Sequence, residues 1–326
     1  MLTQGLCHVT GFEPQHDALL ELQEACGPNE RYLPYAVGDG EAHTLNICRS
    51  SGMTSLLKPD ALNLKLFDYL RTWGEVIERV PLQTHRLDDI GKIRHLDFLK
   101  IDIQGTELAV FQSGRNKLAE CVAIQVEVSF VTLYENQPPL GDVDLELRSQ
   151  GFMPHCFAGV KNWAIAPFVV GGDPRRALNQ LLEADIVYVR DFARADAMTD
   201  EQLKHLALIA HHCYGSFDLA LRCVALLEDR RAVGAGSGQR YLEMIEAKAP
   251  EAEATAKRIV RTAEVCARDA EVLLAEVERN PEDARSVFYL AQSYFDAGNF
   301  VNARTWYARR AEMGGWDQEV YYSMFR

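Results

Sequence analysis

Up to Asp191 the chain alternates short apolar runs with helical stripes; after it, helical stripes alone continue. The clearest switch runs from Leu96 to Gly114. Phe98 to Ile103 is an apolar run of buried-strand character, Asp102 and Gly105 break it, and Leu108, Val110 and Phe111 then recur at helical spacing. A strand feeding a helix through a Gly-containing turn is half of a βαβ unit. Polar groups at the carboxyl end of such a strand occupy the place where open α/β sheets bind ligands.

Further elements flank this switch. His8–Phe12 reads as a strand, Asp17–Ala25 as an amphipathic helix stopped by Gly27-Pro28-Asn29, and Tyr32–Val37 as one strand. Gly38-Asp39-Gly40 is a turn before an extended segment, His43–Cys48. Ser50–Ser55 is polar, Leu62–Arg71 is ambiguous in period, Val80–Thr84 reads as an edge strand, and Leu87–Ile90 as a turn or short helix. Cys121–Phe130 is the next strand, and Leu145–Gln150 is helical up to Gly151. Phe152–Cys156 and Trp163–Pro167 are expected to pair antiparallel, with Asp185–Val189 as one more extended segment.

Beyond Asp191, Thr199 and Gln202 form a capping box ahead of the stripe Leu203, Leu206, Ile209, and Ser216 starts a second helix through Asp229. Gly234–Gly238 is the linker candidate. In residues 239–326, Leu290, Ala291, Tyr294, Gly298, Ala303 and Tyr307 fall at the offsets of a tetratricopeptide (TPR) repeat, with Pro281 where a preceding repeat ends and Arg261–Glu278 as a further helix. The Tyr- and Trp-rich end is expected to serve core or interface. The expected division is an α/β domain over 1–192, a helical connector over 193–238 and a TPR-like helical domain over 239–326.

A length of 326 residues fits about two domains. The net charge of −13 excludes a non-specific nucleic-acid or anionic-membrane surface. No secretory signal opens the chain, and no apolar run reaches the roughly 20 residues that span a bilayer. Eight scattered cysteines without a CxxC pair read as free thiols in a reducing cytosol, so a cytoplasmic protein is expected. His211, His212 and Cys213 are adjacent, but helix neighbours point about 100° apart, which argues against a metal site.

The block KIDIQGTE, Lys100–Glu107, resembles the hallmark of the FkbM family of S-adenosylmethionine-dependent methyltransferases. Further blocks resemble the family in the same order: Gly11–Pro14, Ala36–Asp39, Arg49–Leu57, Arg86–Asp89, Glu127–Gln137 and Ala184–Asp191. The resemblance implies a Rossmann-like class I methyltransferase sheet, S-adenosylmethionine as cofactor, and methylation of hydroxyls of natural products or surface sugars. It places Glu13 as the acceptor of ribose hydrogen bonds, Val37, Gly38 and Asp39 near the adenine, and Asp102 near the transferred methyl group. Arg49–Leu57 and Tyr134–Pro139 would lie on the active-site side.

Methyl transfer needs alignment above all, and a hydroxyl nucleophile gains from a base within hydrogen-bond reach. Asp102, Glu107 and Glu127 are the carboxylates that topology brings near. The residues also admit plainer readings. Glu13 can cap the helix after Pro14, Gly38-Asp39 can be a plain turn, and Glu107 can serve the helix dipole or act as a structural hydrogen-bond acceptor.

One part of the family pattern has no counterpart. The first strand and its Gly-rich turn, of the kind DVGANxG, are not found, and Met1–Leu6 is too short to hold them. That strand lies at the centre of the family's sheet, so without it two strand edges are left unpaired unless the second strand closes onto the fourth. Two functions follow as expectations: an O-methyltransferase acting on a small-molecule or glycan hydroxyl, or an inactive methyltransferase-fold scaffold that binds a protein partner through its helical part. A third reading is a chain that begins downstream of its true start.

Overall fold

The computed structural model describes residues 1–168, 179–245, 263–297 and 299–313. They fall into two compact units, Met1–Gly238 and Gln239–Arg326. The first unit is mixed α/β, and its strands form three sheets of two, three and four strands.

Val9–Phe12 (β1) and Glu30–Leu33 (β2) pair in parallel, joined by the helix His16–Ala25 (α1). Tyr32–Val37, expected as one strand, is divided between two. Pro34 has no N–H for the ladder, and beyond it Ala36–Gly38 (β3) pairs instead with the end of Val76–Arg86 (β5). Ala42–Cys48 (β4) runs antiparallel along the other side of β5. Val80–Thr84, expected at an edge, therefore belongs to the middle strand of this sheet. The ambiguous segment 62–71 contributes two short helices, Ala61–Leu64 (α2) and Leu70–Trp73 (α3).

The four-stranded sheet has the order β6-β7-β9-β8, from Phe98–Ile101 (β6), Ala123–Ser129 (β7), Phe152–Asn162 (β8) and Leu181–Arg190 (β9). β6 and β7 are parallel, whereas β9 runs antiparallel to both β7 and β8. The expected pairing of Phe152–Cys156 with Trp163–Pro167 is not formed. β8 pairs with the long apolar run of β9, while Trp163 Nε1 donates to the Asp68 carbonyl at 3.2 Å and the Ala166 N–H to Leu66 at 2.8 Å. Those bonds draw 163–166 off the sheet and onto the α2–α3 segment. β1 is bonded only to β2 and β6 only to β7, so the second strand does not close onto the fourth, and each keeps an open edge among the described residues.

Alternation along β7 divides the sheet's two faces. Ile124, Val126 and Val128 pack into the main core with Phe111 of Glu107–Ser113 (α4), Leu118 of Arg115–Leu118 (α5) and Leu147 of Leu140–Ser149 (α6). Gln125, Glu127 and Ser129 point to the other face, where Glu183 and Asp185 of β9 and Lys161 of β8 share their register. Asp200–Tyr214 (α7) carries the expected capping box, and its Tyr214 Oη donates to Gln125 Oε1 at 3.1 Å. Phe217–Asp229 (α8) follows.

The second unit contributes Ala263–Arg279 (α9), Ala284–Asp296 (α10) and Phe300–Glu312 (α11). Leu290, Ala291, Ala303 and Tyr307 are buried, and Tyr307 Oη donates to Gln292 Oε1 at 2.7 Å. Gly298 and the aromatic-rich end from 314 lie outside the described residues.

Candidate functional site

At the end of β6 the backbone makes a tight turn in which Gln104 (φ 59°) and Gly105 (φ 102°) are both left-handed. Gly105 needs glycine's freedom, and a Cβ there would lie 3.1 Å from the Gln137 side chain. Glu107 locks the turn. It is 5% exposed, and its Oε1 accepts the N–H of Ile103 at 2.9 Å and of Gly105 at 3.1 Å. Burial pushes its carboxyl above the usual range, even against the two backbone bonds.

The turn aims a linked set of side chains at the carboxyl end of the sheet. Asp102 is exposed. Gln104 Nε2 donates to Asp102 Oδ1 at 2.7 Å and to Glu127 Oε2 at 2.9 Å. Tyr134 Oη donates to Gln104 Oε1 at 2.8 Å, and Ser55 Oγ to the Gln104 carbonyl at 2.6 Å. Burial keeps the Tyr134 phenol protonated, and hence a donor.

Glu127 is 7% exposed and accepts Lys161 Nζ at 2.5 Å. Lys161 reaches Glu183 at 3.3 Å as well. Burial, followed by repulsion from Glu183 and Asp102, pushes Glu127 up to about 8 against the pull of Lys161. Both Glu127 oxygens are therefore engaged. Asp102 alone of the three candidate carboxylates is exposed, and beside its bond from Gln104 it lies within hydrogen-bond reach of the Glu127 carboxyl.

The remaining candidates are spread wider. Glu13 stands half-buried at the tip of β1, and its Oε1 accepts the Gln15 N–H at 2.8 Å; the helix begins only at His16 with Gln15 as its N-cap, so Glu13 and Pro14 lie ahead of it. Val37 packs between the main core and the smaller cluster of Leu33, Ile90 and Ile93. Gly38 is buried where a Cβ would come 2.8 Å from Thr84 Cβ, and its carbonyl accepts Ser113 Oγ at 2.7 Å. Asp39 Oδ1 holds its own turn together, accepting the Glu41 N–H at 2.9 Å and Thr84 Oγ1 at 3.0 Å, with His43 Nε2 at 2.8 Å. Burial opposes the Asp39 charge, but these donors outweigh it and hold the carboxyl below its usual range.

The structure thus brings Asp102, Glu107 and Glu127 together and adds Gln104, Lys161 and Glu183, to which sequence reasoning gave no role, with Ser55 and Tyr134 from the two loops expected on the active-site side. Lys161 and Glu183 become visible only through the β8–β9 register, and that register depends on the pairing that Trp163–Pro167 had been expected to supply. A cavity of about 530 Å³ between α6, β8 and β9 touches none of the candidate carboxylates. Among the described residues no group of side chains is arranged to hold a metal ion, and no helix is long and apolar enough to cross a membrane.

Comparison with known proteins bears on this site. Over 147 residues the chain is 26% identical to the 2-O-methyltransferase NoeI of Sinorhizobium fredii (strain NBRC 101917 / NGR234), covering 40% of this chain and 56% of that protein. The chain thus spans little more than half the length of that relative. Residues 1–154 run from the N-terminus to the start of β8 and hold every candidate site residue from Glu13 to Glu127; they match the family model described as the Methyltransferase FkbM domain.

Proposed function

We propose that the protein is an S-adenosylmethionine-dependent methyltransferase acting on a hydroxyl oxygen. The observation that carries this reading is the match of residues 1–154 to the Methyltransferase FkbM domain, with a solvent-facing carboxylate at the end of β6. The name of the similar 2-O-methyltransferase supports oxygen as the methylated atom. A sugar or polysaccharide is the acceptor class the reading favours.

The residues fit the cofactor in part. Glu13, at the tip of β1, offers a carboxylate oxygen without a donor among the described residues, which suits ribose hydroxyls, and Asp102, at the tip of β6, faces the acceptor. Val37 and Gly38 are committed to packing, whereas Asp39 holds its turn through Oδ1 and keeps Oδ2 without a donor among the described residues. Bound S-adenosylmethionine supplies a methyl group already activated by its sulfonium. Asp102 would orient the acceptor hydroxyl and receive its proton as the O–CH3 bond forms and the S–CH3 bond breaks, the sulfur leaving as the neutral thioether of S-adenosylhomocysteine. Glu127, raised by burial and held by Lys161 and Gln104, acts behind Asp102 rather than on the acceptor. Glu107 serves the turn.

The helices α10 and α11 form, on this reading, a TPR-like module that binds a protein partner, supported by the burial of Leu290, Ala291, Ala303 and Tyr307 at the repeat offsets. The described cysteines are unpaired, which suits a reducing cytoplasm. The open edges of β1 and β6 favour a second reading, a methyltransferase-fold scaffold without turnover. Incubation with methyl-labelled S-adenosylmethionine and a panel of glycans decides between them. Label transferred to a glycan, and lost in Asp102→Ala, is expected; no transfer to any acceptor together with no binding of S-adenosylhomocysteine favours the scaffold.

A further inference from the structure

We propose that Gln104 is a positioning residue that holds Asp102 and Glu127 as one oriented pair at the acceptor side of the site. This rests on the reading of the protein as a methyltransferase.

The orientation of the Gln104 amide is fixed by the carboxylates in front of it. Asp102 and Glu127 offer acceptor oxygens, which take Nε2 and leave Oε1 2.8 Å from the buried Tyr134 hydroxyl, whose other acceptor is the Met53 carbonyl at 3.2 Å. Nε2 has two hydrogens, and the structure shows two acceptors for them, Asp102 Oδ1 at 2.7 Å and Glu127 Oε2 at 2.9 Å. One amide thereby bridges two carboxyl groups that also lie within hydrogen-bond reach of each other and repel when both are charged. The backbone is held as well. Gln104 adopts φ 59°, which a non-glycine residue keeps only where its surroundings insist, and Ser55 Oγ clamps its carbonyl at 2.6 Å.

The consequence for Asp102 is geometric. Gln104 occupies Oδ1 and Glu127 lies within hydrogen-bond reach of the same carboxylate, so its plane is set and an incoming hydroxyl meets its exposed side. Glu127 is fixed from two sides, by Gln104 and by Lys161 of β8, whose ammonium also meets Glu183 of β9. The charged and titratable groups facing the pair are thus Lys161, Glu183, Asp185, Glu107 and the phenol of Tyr134. Among the described residues Gln104 is the neutral donor that touches both members.

The test uses the full chain with carbon-13-labelled carboxylates, the Glu127 signal being assigned by its loss in Glu127→Gln. Gln104→Glu keeps the shape and removes the donors; Gln104→Leu removes donors and acceptor together. In both, the titration midpoint of Glu127 is expected to rise by about one pH unit or more, with the thermal midpoint held within a few degrees in at least one of them. Methyl transfer is expected to lose kcat at unchanged acceptor KM, while S-adenosylhomocysteine binds as before. An unmoved Glu127 midpoint in both variants, or a Gln104→Glu variant with wild-type kcat, overturns the proposal. If the wild-type chain neither binds S-adenosylhomocysteine nor transfers methyl, the methyltransferase reading fails instead. The Glu127 titration still decides whether Gln104 holds the pair.

Discussion

Replacing Glu107 with alanine should undo the turn that presents Asp102. In the folded chain Glu107 Oε1 is the acceptor for the N–H groups of Ile103 and Gly105, and the site around it is dry, with Glu107 5% exposed and Gly105 buried. Glu107→Ala leaves both donors without a partner. An orphaned buried donor costs about 1–3 kcal/mol. Some water will enter the space left by the side chain, so the pair together should cost about 2–4 kcal/mol rather than the full sum. At about 1.4 kcal/mol per tenfold change, local opening becomes roughly 30- to 700-fold more frequent. Amide hydrogen exchange on the peptide spanning 99–113 reads this directly. Glu107→Gln keeps a side-chain oxygen and removes the buried charge, so its exchange should stay within about tenfold of wild type. Wild-type exchange at Ile103 and Gly105 in Glu107→Ala would refute the claim that this carboxylate holds the turn. Equal damage in both variants would shift the role from the acceptor oxygen to the charge.

Glu127 gives a pH prediction: its carboxyl is raised from 4.5 to about 8, so the stability it contributes is complete below 4.5 and is lost as the pH rises towards 8. Glu127→Gln should therefore gain on wild type by about a few kcal/mol between pH 5 and pH 8, measured as the exchange protection of β7 amides at several pH values; parallel curves would contradict it. Tyr134→Phe removes the donor to Gln104 Oε1 and should cost about 1 kcal/mol in a thermal or urea midpoint. Gly38→Ala places a Cβ 2.8 Å from Thr84 Cβ and should lower the thermal midpoint through about 1–3 kcal/mol of overpacking, while S-adenosylhomocysteine affinity, read by calorimetry, is unchanged.

The strand-turn-helix from Phe98 to Ser113 was legible in sequence because its apolar period changes at Asp102 and Gly105, and the structure places β6, the turn and α4 there. The capping box at Thr199 and Gln202 was legible for the same reason, since it is a local device with a fixed spacing. Long-range pairing was not. Pro34 divides what read as one strand, and the partner of β8 is decided by the β9 run rather than by its nearer neighbour Trp163–Pro167. The site shows the same division. Asp102, Glu107 and Glu127 could be named from the order of strands, but that Glu107 faces backbone donors and Asp102 solvent depends on a left-handed turn. Nothing in the residue types of Gln104 announces that turn.

Calorimetric titration of this chain with S-adenosylhomocysteine, alongside Glu13→Ala and Asp102→Ala, tests the central claim most directly. Micromolar-range binding that weakens in Glu13→Ala and persists in Asp102→Ala is the predicted result. No heat of binding at high ligand concentration would contradict the account, and the helical unit's partners would become the next object of study.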